Sequence, residues 1–320
     1  VTSLVQVTAL VDAHVRRDYA RFRAVTLQIA AHVASRSPSS ADQLRKLVET
    51  QQATSFVPLP SASGLLSAPP ELAALDDMVL APKVRALLDR VVLEHSQRDM
   101  LSVHGLLPVR KLLFTGPPGV GKTMAAGGLA RAVSLPMFRV DLHGVISSHL
   151  GETAGKLAKV FEHVATMSAV YLFDEVDALG AERSNTVGSE AGGEMRRVVN
   201  SFLQFIEDDR SDSLIVAATN HATMLDTALF RRFDETIAFT APSKEELVQL
   251  ASRALIDVDI SQLDMGAIYA AVANPSLGHA DVCAALDRVR KDHVLIETPI
   301  DTTRIVDAIA RRARATEVAL

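Results

Sequence analysis

The sequence predicts an α/β fold: a core with a mostly parallel sheet, followed by a helical subdomain and preceded by a small helical domain. Three observations carry that prediction. Lys111-Leu112-Leu113-Phe114-Thr115 is a short apolar run that leads into a glycine-rich stretch and then a helical pattern from Met124 to Val133, the order strand, loop, helix. Ala169-Val170-Tyr171-Leu172-Phe173 and Leu214-Ile215-Val216-Ala217-Ala218-Thr219 read as two more buried strands, each ending in polar residues. From Pro242 onward the pattern is helical with little strand character.

At the amino terminus, Val11, Val15, Tyr19, Phe22, Ile29 and Val33 fall on one apolar stripe, which predicts a helix over residues 4–35. Ser40-Ala41-Asp42-Gln43 is a capping box that opens a second helix reaching about Glu49. Residues 1–50 are therefore expected to form a helical hairpin whose apolar faces either pair with each other or dock a partner or a neighbouring subunit. Residues 51–70, rich in Ser, Ala and Pro and without a period, read as a linker. The core is assigned to residues 71–241 and the helical subdomain, opened by a capping box at Pro242-Ser243-Lys244-Glu245-Glu246, to residues 242–320.

Gly116-Pro117-Pro118-Gly119-Val120-Gly121-Lys122-Thr123 is a complete P-loop, and with Met124 it sits between a strand and a helix. That order aims backbone N–H groups and the positive end of a helix dipole at one point, where a polyphosphate can sit. Lys122 would neutralise β/γ-phosphate oxygens, and the Thr123 hydroxyl would take one position on Mg²⁺. The strand ending in Asp174-Glu175 supplies what a P-loop lacks: Asp174 to hold Mg²⁺ through its water, and Glu175 to orient and polarise an attacking water. Asn220, after the third strand, has an amide that would reach the γ-phosphate or that water. The interior of the P-loop helix carries Gly127-Gly128, each costing about 1 kcal/mol relative to alanine; either close packing against the sheet requires them or the helix is locally soft.

With these motifs in this order, the chain resembles the AAA+ ATPases, and specifically the AAA clade proper, over roughly residues 71 to 320. The P-loop corresponds to the Walker A motif, Tyr171-Leu172-Phe173-Asp174-Glu175-Val176-Asp177 to Walker B, Asn220 to sensor 1, and Leu225-Asp226-Thr227-Ala228-Leu229-Phe230-Arg231-Arg232-Phe233-Asp234 to the second region of homology. The resemblance implies ATP and Mg²⁺ as cofactors and a homo-oligomeric ring, a hexamer, in which Arg231 or Arg232 reaches the γ-phosphate held by a neighbouring subunit. Many relatives separate these arginines by Pro-Gly, whereas here they are adjacent, so either one fits the role; a surface pair bonded to carboxylates such as Asp234 is the competing reading. The helical subdomain resembles the lid of the family, and Gly278-His279-Ala280-Asp281-Val282 its Ser-Gly-Ala-Asp segment, which makes Gly278 and Ala280 nucleotide contacts. His279 stands where relatives have glycine, either against the base or facing outward.

Protein-threading relatives carry an aromatic, an aliphatic and a glycine on a pore loop after the second strand. Here, after Met137-Phe138-Arg139-Val140-Asp141-Leu142, those places fall to His149, Leu150 and Gly151. Residues 180–193 would form a second pore-facing loop. A helical hairpin on a tether before such a core resembles the recruiting domains of this family.

Composition narrows the function further. Apolar residues make up 48% of the 320-residue chain, enough for a large core. No apolar run approaches the roughly 18 residues of a membrane span, and no basic segment followed by an apolar signal core opens the chain, so a soluble, cytoplasmic protein without membrane association is expected. The single cysteine, Cys283, cannot form an intrachain disulfide and is expected to be packed in a helix. The ten histidines show no HxxxH or HExxH spacing, which gives no case for zinc. A net charge of −5 argues against a nucleic-acid motor; the densest basic stretch, Arg16 to Arg23, lies on an amphipathic helix. The expected function is ATP-driven remodelling or unfolding of a protein substrate. The alternative is an ATP-gated module that switches a separately encoded effector or protease, and a nucleic-acid-dependent motor ranks third.

Overall fold

The computed structural model describes residues 8, 25–30, 64–69, 72–146, 153–177, 190–225, 227–255, 263–274 and 277–319. The chain divides into two compact units, Val1–Val57 and Pro58–Leu320. In the first, residues 25–30 are helical, with Thr26 and Ala30 buried. The rest of the predicted amino-terminal hairpin lies outside the described residues.

The second unit is built on a six-stranded sheet. Its elements run β1 (Leu66–Ser67), a 3₁₀ turn (Leu75–Asp77), α1 (Pro82–Ser96), α2 (Arg98–Val103), β2 (Lys111–Thr115), α3 (Lys122–Ala132), β3 (Met137–Val140), α4 (Leu142–Ile146) and α5 (Thr153–Thr166). There follow β4 (Val170–Phe173), α6 (Glu190–Asp208), β5 (Leu214–Thr219), α7 (Thr227–Phe230), β6 (Glu235–Ala238), α8 (Lys244–Ala254), α9 (Met265–Val272), α10 (His279–Ile296) and α11 (Thr302–Ala319). In space the strands lie β1-β3-β4-β5-β2-β6. All neighbours are parallel except the antiparallel β1–β3 pair.

Successive residues of a strand point to opposite faces, and helices cover both faces of this sheet, so the central strands carry unbroken apolar runs. Leu112, Phe114, Val170, Leu172, Val216 and Ala218 face one core, shared with α1 and α3. Leu113, Tyr171, Phe173, Ile215 and Ala217 face the other, shared with α5 and α6. Helices α8 to α11 enclose a third core around Leu247, Ile268, Leu286 and Ile309.

β1 and β6 are additions to the three strands and the second-strand segment read from the sequence. Two residues, Leu66–Ser67, are too few to show a period, although they fall inside the stretch read as a linker. β6 lies at the sheet edge, and Ile237 is its one fully buried residue, so the strand lacks an apolar run. Helix α8 begins at the expected capping box: Glu246 N donates to Ser243 Oγ at 3.2 Å, and Ser243 N donates to Glu246 Oε2 at 2.9 Å. Cys283 is half-buried. No helix of the described residues is long and apolar enough to cross a membrane.

Candidate nucleotide site

Because β5 and then β4 lie beside β2, the segments that follow these three strands meet at one edge of the sheet. Brought together there are the P-loop, the Asp174-Glu175 pair and Asn220, the crevice in which parallel sheets bind ligands. The P-loop backbone demands its glycines. Gly116 has φ 144°, and a Cβ there would stand 2.0 Å from the Phe239 carbonyl oxygen. Gly121, with φ 95°, is the residue before α3 and turns the chain into that helix. Pro117, Pro118 and Gly119 are exposed on the loop, Val120 is buried, and Met124 is 49% exposed on the first turn of α3.

Lys122 is 6% exposed, and its Nζ donates to Gly116 O at 2.7 Å, Pro117 O at 2.8 Å and Asn220 Oδ1 at 2.7 Å. Burial lowers its pKa, while Asp174 and Asp177 act in the opposite direction. Thr123 Oγ1 donates to Asp174 Oδ2 at 2.9 Å. A hydroxyl and a carboxylate this close, beside a phosphate loop, are hard oxygen donors of the kind that hold Mg²⁺. Glu175 is exposed, adopts φ 57°, and donates its N–H to Asp174 Oδ1 at 3.1 Å. Left-handed backbone at a glutamate is uncommon and re-aims the side chain relative to the strand.

Two contributors carried no assigned role at the sequence level. Asp177 Oδ1 accepts from Thr219 Oγ1 at 3.1 Å and from Asn220 N at 3.4 Å, tying the end of β5 to the turn after β4. Arg139 Nη2 lies 3.2 Å from Asp174 Oδ2, and both line a cavity of about 410 Å³ with Asp141 and Glu175. The one signal for Arg139 was a charged residue inside an apolar strand; its position is the exposed one of β3.

Arg231 and Arg232 occupy the turn between α7 and β6. Arg232 Nε pairs with Glu207 Oε2 at 2.7 Å. Arg231 is exposed, and among the described residues no hydrogen bond or ion pair holds it. Asp234 serves neither arginine: its Oδ2 accepts the backbone N–H groups of Arg110 and Lys111, each at 2.9 Å, and so fixes the start of β2.

The start of α10 abuts the P-loop. Ala280 N donates to Gly119 O at 3.3 Å, and a Cβ on Gly278 would lie 3.8 Å from the same carbonyl. Asp281 caps this helix, accepting from Gly278 N at 3.0 Å, and is held in turn by Arg312 Nε at 3.0 Å. Both ring nitrogens of His279 are shut off from solvent, so the side chain faces inward. His149, Leu150 and Gly151 lie outside the described residues, as do residues 180–189 of the second loop.

The profile of the ATPase family associated with various cellular activities (AAA) matches residues 112–241. Over 233 residues the chain is 40% identical to the uncharacterized AAA family ATPase y4kL of Sinorhizobium fredii, covering 69% of each protein. The chain belongs to the AAA family of ATPases. Like other AAA ATPases it binds nucleotide and hydrolyses ATP. It is also 31% identical over 171 residues to the proteasome-activating nucleotidase of Methanoculleus marisnigri, over 52% of this chain and 41% of that protein. The AAA fold recurs in the crystal structure of the FIGL-1 AAA domain, at TM-score 0.57 and 23% identity over 79% of this chain and 86% of that one.

Proposed function

We propose that this ATPase works as a hexameric ring of identical subunits and spends its hydrolysis cycle on remodelling or unfolding a protein substrate. The observation that carries the ring is Arg231, an exposed guanidinium that no described residue engages, beside an Arg232 already paired with Glu207. Such a cation, offered across a subunit boundary, stabilises the charge that spreads over the equatorial oxygens in the transition state. Within one subunit, Lys122 binds the β/γ-phosphates, Glu175 polarises the attacking water, and Asn220 holds that water or the γ-phosphate. Thr123, and Asp174 through water, would hold Mg²⁺, which neutralises phosphate charge. Similarity to a proteasome-activating nucleotidase supports a protein as substrate.

Two measurements test this reading. Arg231→Ala should bind ATP nearly as the parent does yet lose turnover, and mixing it with Lys122→Ala subunits should restore activity at mixed interfaces. Full turnover in Arg231→Ala refutes its action in trans. An unfolded protein should stimulate ATP hydrolysis; stimulation by one specific partner only would point to an ATP-gated switch, and by DNA or RNA to a nucleic-acid motor.

A further inference from the structure

The order of the strands fixes which way a nucleotide can lie. Lys122, Thr123, Asp174 and Asn220 gather over the ends of β2, β5 and β4, on one side of the P-loop. On the other side, past the end of β6, Phe239 and Thr240 meet Val120 of the loop, Leu80 just before α1, Val84 in its first turn, and His279 of α10. A base attached to phosphates held by the loop has this mainly apolar cleft to enter, and apolar walls with a few polar groups are what a planar heterocycle needs.

His279 closes the cleft. The space left there is about 10 Å³, room for about one water, against roughly 300 Å³ or more for a small-molecule site. The start of α10 is tied to the P-loop, because Ala280 N donates to Gly119 O at 3.3 Å, and its first turn is closed by the Asp281 cap on Gly278. Among the described residues neither ring nitrogen has a hydrogen-bond partner, although buried polar atoms are nearly always paired. Burial lowers the pKa of His279, with the nearby Glu246 carboxylate only partly opposing it, so the plug is a neutral ring.

We propose that His279 is a gate for the nucleobase: its imidazole fills the cleft beside Val120 and must turn aside for the base to enter, while the phosphate cradle is untouched. The inference rests on the P-loop reading of residues 116–123. Its consequence is that base and phosphates contribute separately to affinity, and that the volume of the side chain at this position sets the contribution of the base.

The test is calorimetric titration of ATP, and of inorganic tripolyphosphate as a probe without a base, into the parent protein, His279→Ala and His279→Phe. Relief of the plug should raise ATP affinity about three- to tenfold in His279→Ala, the scale of one side-chain rotamer penalty. Tripolyphosphate affinity should remain within about twofold. His279→Phe keeps the volume without the nitrogens and should bind ATP no more tightly than the parent. Weaker ATP binding by His279→Ala, parallel shifts for both ligands, or no shift in ATP affinity overturns the gate. If the parent binds neither ligand and is indistinguishable from Lys122→Ala, the P-loop reading itself fails, and the gate with it.

Discussion

Replacing Gly128 by alanine should loosen the joint between the P-loop helix and the segment leading into the core, whereas the same change at Gly127 should tighten it. Both glycines are buried in α3, yet their surroundings differ. A Cβ at Gly128 would fall 2.6 Å from Leu75 Cδ2, 2.9 Å from its Cγ and 3.3 Å from its backbone nitrogen. Leu75 is only 5% exposed, and the turn it opens is held by Arg85 and, through the Asp76 carbonyl, by Arg253 of α8, so it cannot simply swing away. Overpacking of this kind costs about 2 kcal/mol, and alanine returns about 1 kcal/mol of helix propensity. Gly128→Ala should therefore be destabilised by about 1 kcal/mol. At Gly127 the nearest atom is the flexible end of Leu72, at 3.2 Å, so the propensity gain should dominate and stabilise by roughly 0.5–1 kcal/mol. Denaturant midpoints and thermal melting of the two variants, separated by several degrees, provide the assay. In a Leu75→Ala background the Gly128→Ala penalty should vanish, because the added methyl then fills a cavity. Equal stability of the two alanine variants, or a penalty that persists without Leu75, would refute the packing argument.

Lys122→Ala should abolish nucleotide binding, whereas Glu175→Gln should bind ATP and fail to hydrolyse it; titration calorimetry and phosphate release distinguish them, and comparable turnover in Glu175→Gln and the parent would sink the assignment. Asp177→Ala frees Thr219 and Asn220 from their common acceptor and should lower kcat about ten- to a hundredfold with nucleotide affinity largely retained. His163, 1% exposed, sits with Nδ1 2.5 Å from the Tyr171 hydroxyl, and burial lowers its pKa. The unfolded chain then binds more protons than the native one, so this contribution is complete above about pH 6.5 and is lost as pH falls from there through the lower native value, with a slope of at most about 1.4 kcal/mol per pH unit. His95 and His279, both lowered by burial, act in the same direction. Chemical denaturation between pH 5 and 8 should show a shallower acid slope for His163→Leu; an unchanged slope would remove His163 from the account.

Much of the site was legible because its chemistry is local. A P-loop closes on its own backbone, and Lys122 and Thr123 follow its last glycine whatever the rest of the chain does. The strands around it announced themselves as apolar runs because both faces of the sheet are covered, and the capping box of Ser243 with Glu246 needs four consecutive residues. Elements without such a signature were invisible: β1 is two residues long, and β6 lies at an edge where one buried isoleucine suffices.

What the sequence left open depends on distances between residues far apart in the chain. The adjacent arginines are identical as text; Glu207 of α6 separates them by pairing with Arg232, and Asp234, their nearest carboxylate, turns out to cap the start of β2. Of the paired glycines of α3, Gly128 is explained by Leu75 and not by the sheet, whereas a Cβ at Gly127 would meet the flexible end of Leu72 at 3.2 Å and Met137 Sδ at 3.7 Å. Asp177 and Arg139 gained roles only when β5 and β3 were laid beside β4. The direction of His279 likewise followed from the contact between α10 and the P-loop. Local bonding was therefore fixed by the order of residues, whereas every pairing and steric fit across the sheet had to await the packing of its strands and helices, because a side chain's partner is set by proximity and not by position in the chain.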